Sequence, residues 1–558
     1  MKQLKTKVVT VTMSNRLYFD AEAVPEEVQD EIFDAFTYHN PDLHRMKALG
    51  FYTRGVPKYI STVNQQDDVI AVSRGCRKRL TDIFHAHNLP VKFIDQTFTE
   101  KRHAHLLPEE YADRLDASIA AEGWQLREDQ LEVSRVIQEG GDLIVDAVCS
   151  AGKTEITLHA VSRKRQPTLV LVHTTDLLRQ WLEVIEARFG LKAQEVGLLG
   201  DGKKRIAPLT IGMVKTVGNM LKKKDSKAAQ LRKQFGMIVL DEGHHAPATT
   251  FTDTVEQFPA RHRVAVTGSL KRRDGKTFLT HDLFGEVGAK ITDEELIEIG
   301  AVLPVTVYCI KTDFYFDYRH RDLIAELEAN GSFEKYYDAK VAANNEARAA
   351  KNLDAIETDY DELTPAEKRD LQREYLRKCE VDPAEFNDFL HKATRNRQRN
   401  NSIVNLVNML TDRKESTLIL STRVKHCKVL KKKLALKGIE AGLLLGGKEN
   451  QTETVRTKKR MKSGALLVGI GTSIADEALN IPRLTNVVLT CNGAKNEAKA
   501  KQQGGRTKRN FKGKKEARLF YIYDHLITAF KDDVKHLRKI FGNAEVYDLE
   551  GLKLGKKT

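Results

Sequence analysis

Lys153 and Thr154 close the stretch VDAVCSAGKTE, residues 145–155. A lysine and a hydroxyl directly after a glycine suit phosphate chemistry. The lysine reaches β- and γ-phosphates, the hydroxyl binds Mg²⁺, and backbone N–H groups at a helix start hold the rest. The full phosphate-loop pattern is G-x-x-x-x-G-K-[ST], and its first glycine falls on Ala147. Ser150, Ala151, Gly152, Lys153, Thr154 and Glu155 are therefore candidate nucleotide-binding residues. Asp241 and Glu242, in MIVLDEGHH (237–245), are adjacent carboxylates after an apolar run. Asp241 suits a cation held through water, and Glu242 suits polarising an attacking water. Alone, an Asp-Glu pair is an ordinary solvated turn, but a phosphate loop upstream changes its meaning. Arg506 and Arg509, in QQGGRTKR (502–509), stand three apart, which on a helix gives them one face. Such arginines stabilise charge on a transferring γ-phosphoryl group. The candidate catalytic set is Lys153, Glu242, Arg506 and Arg509, and the candidate metal ligands are Thr154 and Asp241.

These groups need strands to deliver them. DLIVDAV (142–148) precedes the loop, and TLVLVH (168–173), LTIGMV (209–214), MIVLDE (237–242) and RVAVTGS (263–269) follow with helical stretches between. Buried strands alternating with helices predict a parallel α/β sheet, whose ligands sit at the C-terminal strand ends. Residues 315–400 break the pattern with charged, alanine-rich helical sequence, read as an insertion. The α/β texture resumes at STLILST (416–422), ALLVGIGT (465–472), NVVLTC (486–491) and RLFYIYDH (518–525). The expected fold class is α/β: two parallel-sheet lobes, 113–300 and 301–558, with a small α+β domain over 1–112 in front. That domain predicts strands in KVVTVTM and RLYFD, a helix ended by Pro41, a hairpin over 59–73 and a basic helix from Cys76.

The 558 residues carry a net charge of +14, with a sequence pI near 9.2. A polyanionic partner, most often nucleic acid, fits this balance, as does a solvated basic surface. The charge is clustered, in RGCRKR (74–79), LKKKDSK (221–227), RTKKRMK (456–462) and residues 501–518. The six cysteines form no C-x-x-C pair, which points away from a zinc site or a disulfide framework. No apolar run nears membrane-spanning length and the N-terminus has no apolar signal region, so a cytoplasmic location is expected.

Taken in order, the motifs over residues 120–530 resemble those of superfamily 2 helicases. GWQLREDQ (123–130) resembles the segment whose glutamine, here Gln130, reads adenine. VCSAGKTE resembles motif I, HTTDLLRQW (173–181) motif Ia, DEGHH motif II and VTGSLKRRDGK (266–276) motif III. ILSTRVKHCKVL (419–430) resembles motif IV, GIGTSIADEALNIP (469–482) motif V and QQGGRTKR motif VI. Within the superfamily the likeness is to the XPB-like group and to phage branch-migration helicases of the UvsW type. TGSLKRRDGK, a helical insertion after motif III and a small domain ahead of the first lobe carry it. The resemblance implies two RecA-like lobes with ATP and Mg²⁺ between them and hydrolysis coupled to movement on DNA. It assigns coupling to His244, Thr267, Ser269, Asn480 and Gln502, and strand grip to Thr174, Gln180, Ser421, Arg423 and Thr472. Arg74, Arg77, Lys78 and Arg79, near Tyr38 and Tyr59, would engage duplex DNA at a fork. The sequence departs from the pattern at Ala147, at Gly268–Ser269 in motif III, and at Ala478 and Asn480 in motif V. The expected function is an ATP-dependent helicase or translocase acting on forked or branched DNA, with recombination or replication proteins as possible partners. An RNA helicase and a DNA-tracking motor of a defence or restriction system stay open, because phosphate grip does not tell the two sugars apart.

Overall fold

The computed structural model describes residues 8–43, 56–101, 106–223, 226–243, 249–268, 270, 275–316, 332–349, 360–365, 367–368, 371–372, 374, 385–472, 481–490, 497–527, 530, 532–552 and 554. The chain divides into two compact units, one of residues 1–41 and 57–300, the other of 42–56 and 301–558.

The first unit begins with a five-stranded sheet. Its strands are β1 (Val9–Met13), β2 (Leu17–Asp20), β5 (Val63–Gln66), β6 (Val69–Val72) and β7 (Val91–Asp95), in the order β5-β6-β2-β1-β7. Alternate residues of β1 and β2 point inward, and Val9, Val11, Leu17 and Phe19 meet Val28, Ile32, Leu80 and Phe84 of helices Glu26–Ala35 and Arg77–Ala86. The first helix ends at Ala35, short of Pro41. Residues Thr37–His39 form β3, paired with β4 (Tyr59–Ser61). The expected hairpin over 59–73 is therefore shorter: β5 and β6 turn at Asp67, whose φ of 51° is left-handed. Strand β7, parallel to β1, was not foreseen.

The same unit continues into an eight-stranded sheet. Its strands are β8 (Asp142–Ala147), β9 (Thr168–Val172), β10 (Gly197–Gly200), β11 (Lys203–Arg205), β12 (Leu209–Met213), β13 (Met237–Asp241), β14 (His262–Thr267) and β15 (Val287–Ile291). The order is β11-β10-β12-β9-β13-β14-β8-β15, parallel throughout except for the β10–β11 hairpin. Helices cover β9 and β13, whose residues are all buried, and this explains their unbroken apolar sequence. Because β13, β14 and β8 are neighbours, their C-terminal ends open side by side.

Buried charges join the front domain to this sheet. Arg74 is 2% exposed; its guanidinium pairs with Asp142 at the start of β8 (Nε–Oδ2 2.7 Å) and donates to the carbonyls of Ala260 (2.6 Å) and Ser14 (3.0 Å). Asp282, in helix Thr277–Phe284, accepts from Arg79, from the Thr62 hydroxyl (2.6 Å) and from the Tyr38 hydroxyl (3.3 Å). Tyr38 also stacks on Phe278 with ring centres 3.9 Å apart.

The second unit holds seven parallel strands in the order β18-β19-β17-β20-β21-β16-β22. They are β16 (Val305–Lys311), β17 (Ser416–Leu420), β18 (Ala441–Leu444), β19 (Val468–Gly471), β20 (Leu484–Leu489), β21 (Ala517–Tyr523) and β22 (Glu545–Tyr547). Helices Arg397–Asp412 and Val424–Ala435 bury Ile403, Val407, Leu430 and Leu434 on one face. The helical sequence expected as an insertion does not all stand apart from the lobe. Phe389, in helix Glu385–Arg395, packs on Phe316 and Phe530 (ring centres 5.8 and 5.0 Å) and joins the core of the other face.

Candidate nucleotide site

The stretch after β8 turns sharply. Ser150 and Gly152 have φ of 75° and 88°, and Lys153–Lys164 then forms a helix, so its first N–H groups are presented at the loop. Gly152 is required twice over: its φ is left-handed, and a Cβ there would meet the Gln130 side-chain nitrogen at 2.3 Å. Ala147 is a different case. It is the last residue of β8, fully buried and extended, and is not among the residues of positive φ. Nothing in its backbone calls for glycine.

Lys153 Nζ donates to the Ala147 carbonyl at 3.1 Å, folding the ammonium over the loop. Gly268, just after β14, lies beneath it: a Cβ there would meet Nζ at 3.1 Å. Gln130 is buried in helix Glu128–Glu139. Its amide nitrogen donates to the Ala151 carbonyl (2.8 Å) and its amide oxygen accepts from the Arg127 backbone (3.0 Å). It thus braces the loop from the side. Thr154 is half-buried on the first helical turn. Glu155 is engaged elsewhere. Arg188 holds it at 3.0–3.2 Å and also holds Glu122 at 2.7 Å, while stacking over Trp124. It is placed as a structural ion-pair partner and not as a nucleotide ligand.

Asp241 ends β13 and is buried. Its Oδ2 accepts from the Trp181 indole at 2.8 Å and its Oδ1 from the Glu242 backbone at 2.9 Å. Burial, with the neighbouring Glu242 charge, raises its carboxyl above the ordinary range, against the pull of the Trp181 hydrogen bond and of Lys153. Glu242 has a left-handed φ of 52°, a strained setting for a side chain at a strand end. The Trp181 contact was not foreseen; the signal was a tryptophan inside motif Ia, in helix Thr175–Phe189. Thr267 ends β14 fully buried, beside β8. His244, Ser269 and Asn480 lie outside the described residues. Among the described residues no three or more His, Cys, Asp or Glu side chains gather as a metal cluster.

In the second unit the helix Glu497–Gly505 stops before Arg506, and this corrects the helical-face expectation. Arg506 is buried in the following turn, and Arg509 bridges Val302 in extended backbone. Gln502 is half-buried on the helix.

The expected nucleic-acid contacts divide. Thr174 caps helix Thr175–Phe189, its hydroxyl accepting from Leu177 N at 3.3 Å, with half-buried Gln180 on the same helix. Arg423 is exposed and Thr472 half-buried. Ser421 is buried; its hydroxyl lies 2.9 Å from His426 Nδ1, and His426 Nε2 reaches Asn400 Oδ1 at 2.9 Å. Since the Asn400 amide nitrogen donates to Thr394 O, its oxygen accepts, so His426 carries its proton on Nε2 and Nδ1 accepts from Ser421. Ser421 is thus a positioning group, without an open face for a phosphate. Arg74 is buried against Asp142, whereas Arg79 pairs with Asp282 and keeps its side chain 40% exposed. Arg77 lies over the Phe93 ring, and Lys78 is exposed beside Asp82.

Residues 123–272 match the family described as Type III restriction enzyme, res subunit, and residues 398–511 match the Helicase conserved C-terminal domain. A DNA 3'-5' helicase XPB of Kineococcus radiotolerans is 33% identical over 33% of this chain and 32% of its own length. A probable helicase D10 of Escherichia phage T5 is 27% identical over 49% of this chain and 52% of its own length. The chain therefore spans about a third to a half of these relatives. In fold it is similar to S. cerevisiae Dbp5 bound to RNA and ADP BeF3, at a TM-score of 0.52 and 16% identity over 80% of this chain and 94% of that one. With the two domains in this order and a phosphate loop, an Asp-Glu pair and Gln130 meeting in the first, the chain is similar to the superfamily 2 helicases, XPB helicases among them.

Proposed function

We propose that this chain is an ATP-driven DNA helicase or translocase that remodels forked or branched DNA, in branch migration, fork processing, recombination or repair. The observation that carries the reading is the convergence of Gln130, Lys153 and Asp241 where adjoining parallel strands end. The clustered positive charge and the DNA helicases among the relatives support DNA as the track. Lys153 would exchange the Ala147 carbonyl for β- and γ-phosphate oxygens. Glu242 would orient the attacking water, and Arg506 and Arg509 would meet the charge that develops on the γ-phosphate. Thr154 and Asp241 are two oxygen donors of the kind Mg²⁺ takes when phosphates and waters fill its other positions. That ion would supply charge neutralisation between the phosphates. Thr174, Gln180, Arg423, Thr472, Arg77, Lys78 and Arg79 would form the backbone-gripping set.

The test compares ATP hydrolysis with single-stranded, duplex, forked and four-way-junction DNA and with RNA, using Lys153→Ala as control. Strongest stimulation by forks or junctions is expected. Stimulation by RNA alone would refute the proposal. Stimulation by plain duplex without strand separation would favour a DNA-tracking motor of a restriction system, a reading that the match over 123–272 supports. No hydrolysis with any of them would leave a nucleotide-binding switch.

A further inference from the structure

One lysine outside every recognised motif holds the backbone that carries the two arginines. Lys514 Nζ donates to the carbonyls of Thr507 (2.5 Å), Arg509 (2.8 Å) and Pro482 (3.3 Å). An ammonium has three donors, and three acceptors meet it. Thr507 and Arg509 belong to the segment after helix Glu497–Gly505, and Pro482 lies just ahead of β20. The same segment is tied by Arg506 N to Gln503 O (3.3 Å), Thr507 N to Gly504 O (3.0 Å), Lys508 N to Gly505 O (3.3 Å) and Leu303 N to Lys508 O (2.8 Å).

We propose that Lys514 is a positioning residue for ATP hydrolysis: its ammonium clamps the backbone from which Arg506 and Arg509 project and ties it to the segment before β20. The proposal rests on the reading of those arginines as γ-phosphate groups. Lysine suits this role because a compact ammonium satisfies converging carbonyls that a planar guanidinium would meet less evenly.

The clamp has a built-in proton dependence. Burial, then the positive charge of Arg509, pushes Lys514 down to about 7. Of the other charged groups, Arg483, next to Pro482, lies over the Phe511 ring, Glu516 pairs with Arg518, Lys512 and Lys515 are exposed, and Arg506 and Lys508 of the clamped segment are buried. Below about 7 the ammonium serves all three carbonyls. As pH rises through that value a neutral amine keeps two N–H groups, one carbonyl loses its donor, and the arginine segment loosens.

The experiment measures DNA-stimulated ATP hydrolysis of the full chain across neutral pH for wild type, Lys514→Met and Lys514→Arg, with melting temperature and DNA binding alongside. In the wild type kcat falls as pH rises through about 7 while KM for ATP stays. Lys514→Met lowers kcat by about ten- to a hundredfold, the scale of a small misplacement of catalytic groups, and flattens the pH profile. Lys514→Arg, charged throughout, keeps more activity than the methionine variant and loses the alkaline fall. A Lys514→Met enzyme with wild-type kcat and pH profile overturns the proposal. So does one that melts earlier yet keeps the wild-type profile. Arg506→Ala and Arg509→Ala separate the two readings: if they hydrolyse ATP normally, the assignment of the arginines fails. If they are inactive while Lys514→Met is normal, only the clamp fails.

Discussion

Ala147 stands where the phosphate-loop pattern has glycine, and its backbone shows why the substitution is tolerated: the turn begins after it, at Ser150 and Gly152. Ala147→Gly should leave ATP affinity unchanged and lower stability by roughly 0.5–1 kcal/mol, the cost of glycine inside a regular strand, read by urea unfolding. Gly152→Ala should do the opposite. A left-handed alanine costs roughly 1–2 kcal/mol before its clash with Gln130, and nucleotide binding should fall at least tenfold in a titration with a fluorescent analogue. Lys153→Ala should abolish hydrolysis and leave salt-dependent DNA binding in place, checked by parallel turnover and gel-shift measurements. At this scale the sequence was legible where the backbone restricts the residue, as at left-handed Gly152, and where an apolar run fixes a strand end, as at Asp241. It was not legible where a polar side chain has two possible employers. Glu155, Ser421 and Arg74 each match a functional pattern and each is taken by a buried structural partner.

Strands buried on both faces declared themselves as apolar runs, which is why β8, β9, β12, β13 and β14 could be read directly. Short strands could not: β10, with two glycines in four residues, and β3, beside a helix end, have no period of their own. The helix expected through Arg506 fails because a Gly-Gly pair ends it at Gly505. The charges joining the front domain to the eight-stranded sheet were equally hidden, since nothing local marks Asp142 or Asp282 as a partner. Arg74→Met leaves Asp142 without its cation and should cost about 3–5 kcal/mol, seen as a lower denaturation midpoint for the first unit with DNA affinity per folded molecule unaltered. The histidines report in the acid range. Burial lowers His426 to about 3 and His262 to about 4, both below the ordinary 6.5. The unfolded chain therefore takes up these protons first as pH falls. Stability present above about 6.5 should be lost on the way down to about 4 for His262 and about 3 for His426, and His426→Gln should make that decline shallower in unfolding titrations.

At the scale of the whole molecule, the family matches cover 123–272 and 398–511, and the front domain lies outside both. Net charge of +14 predicts an affinity for DNA that falls steeply with salt, and removing an exposed lysine that touches phosphate, such as Lys78, should reduce the log–log slope by about 1. The topology of the second unit has another outcome. Strand β16 lies between β21 and β22, so, among the described residues, 305–311 find their sheet neighbours in 517–523 and 545–547. During translation the first unit has its strands in hand by residue 300, whereas β16 must wait, unpaired, while some two hundred further residues are made. A ribosome that stalls late in the message would release a finished ATP-binding half attached to a half that cannot close its sheet, a natural client for chaperones.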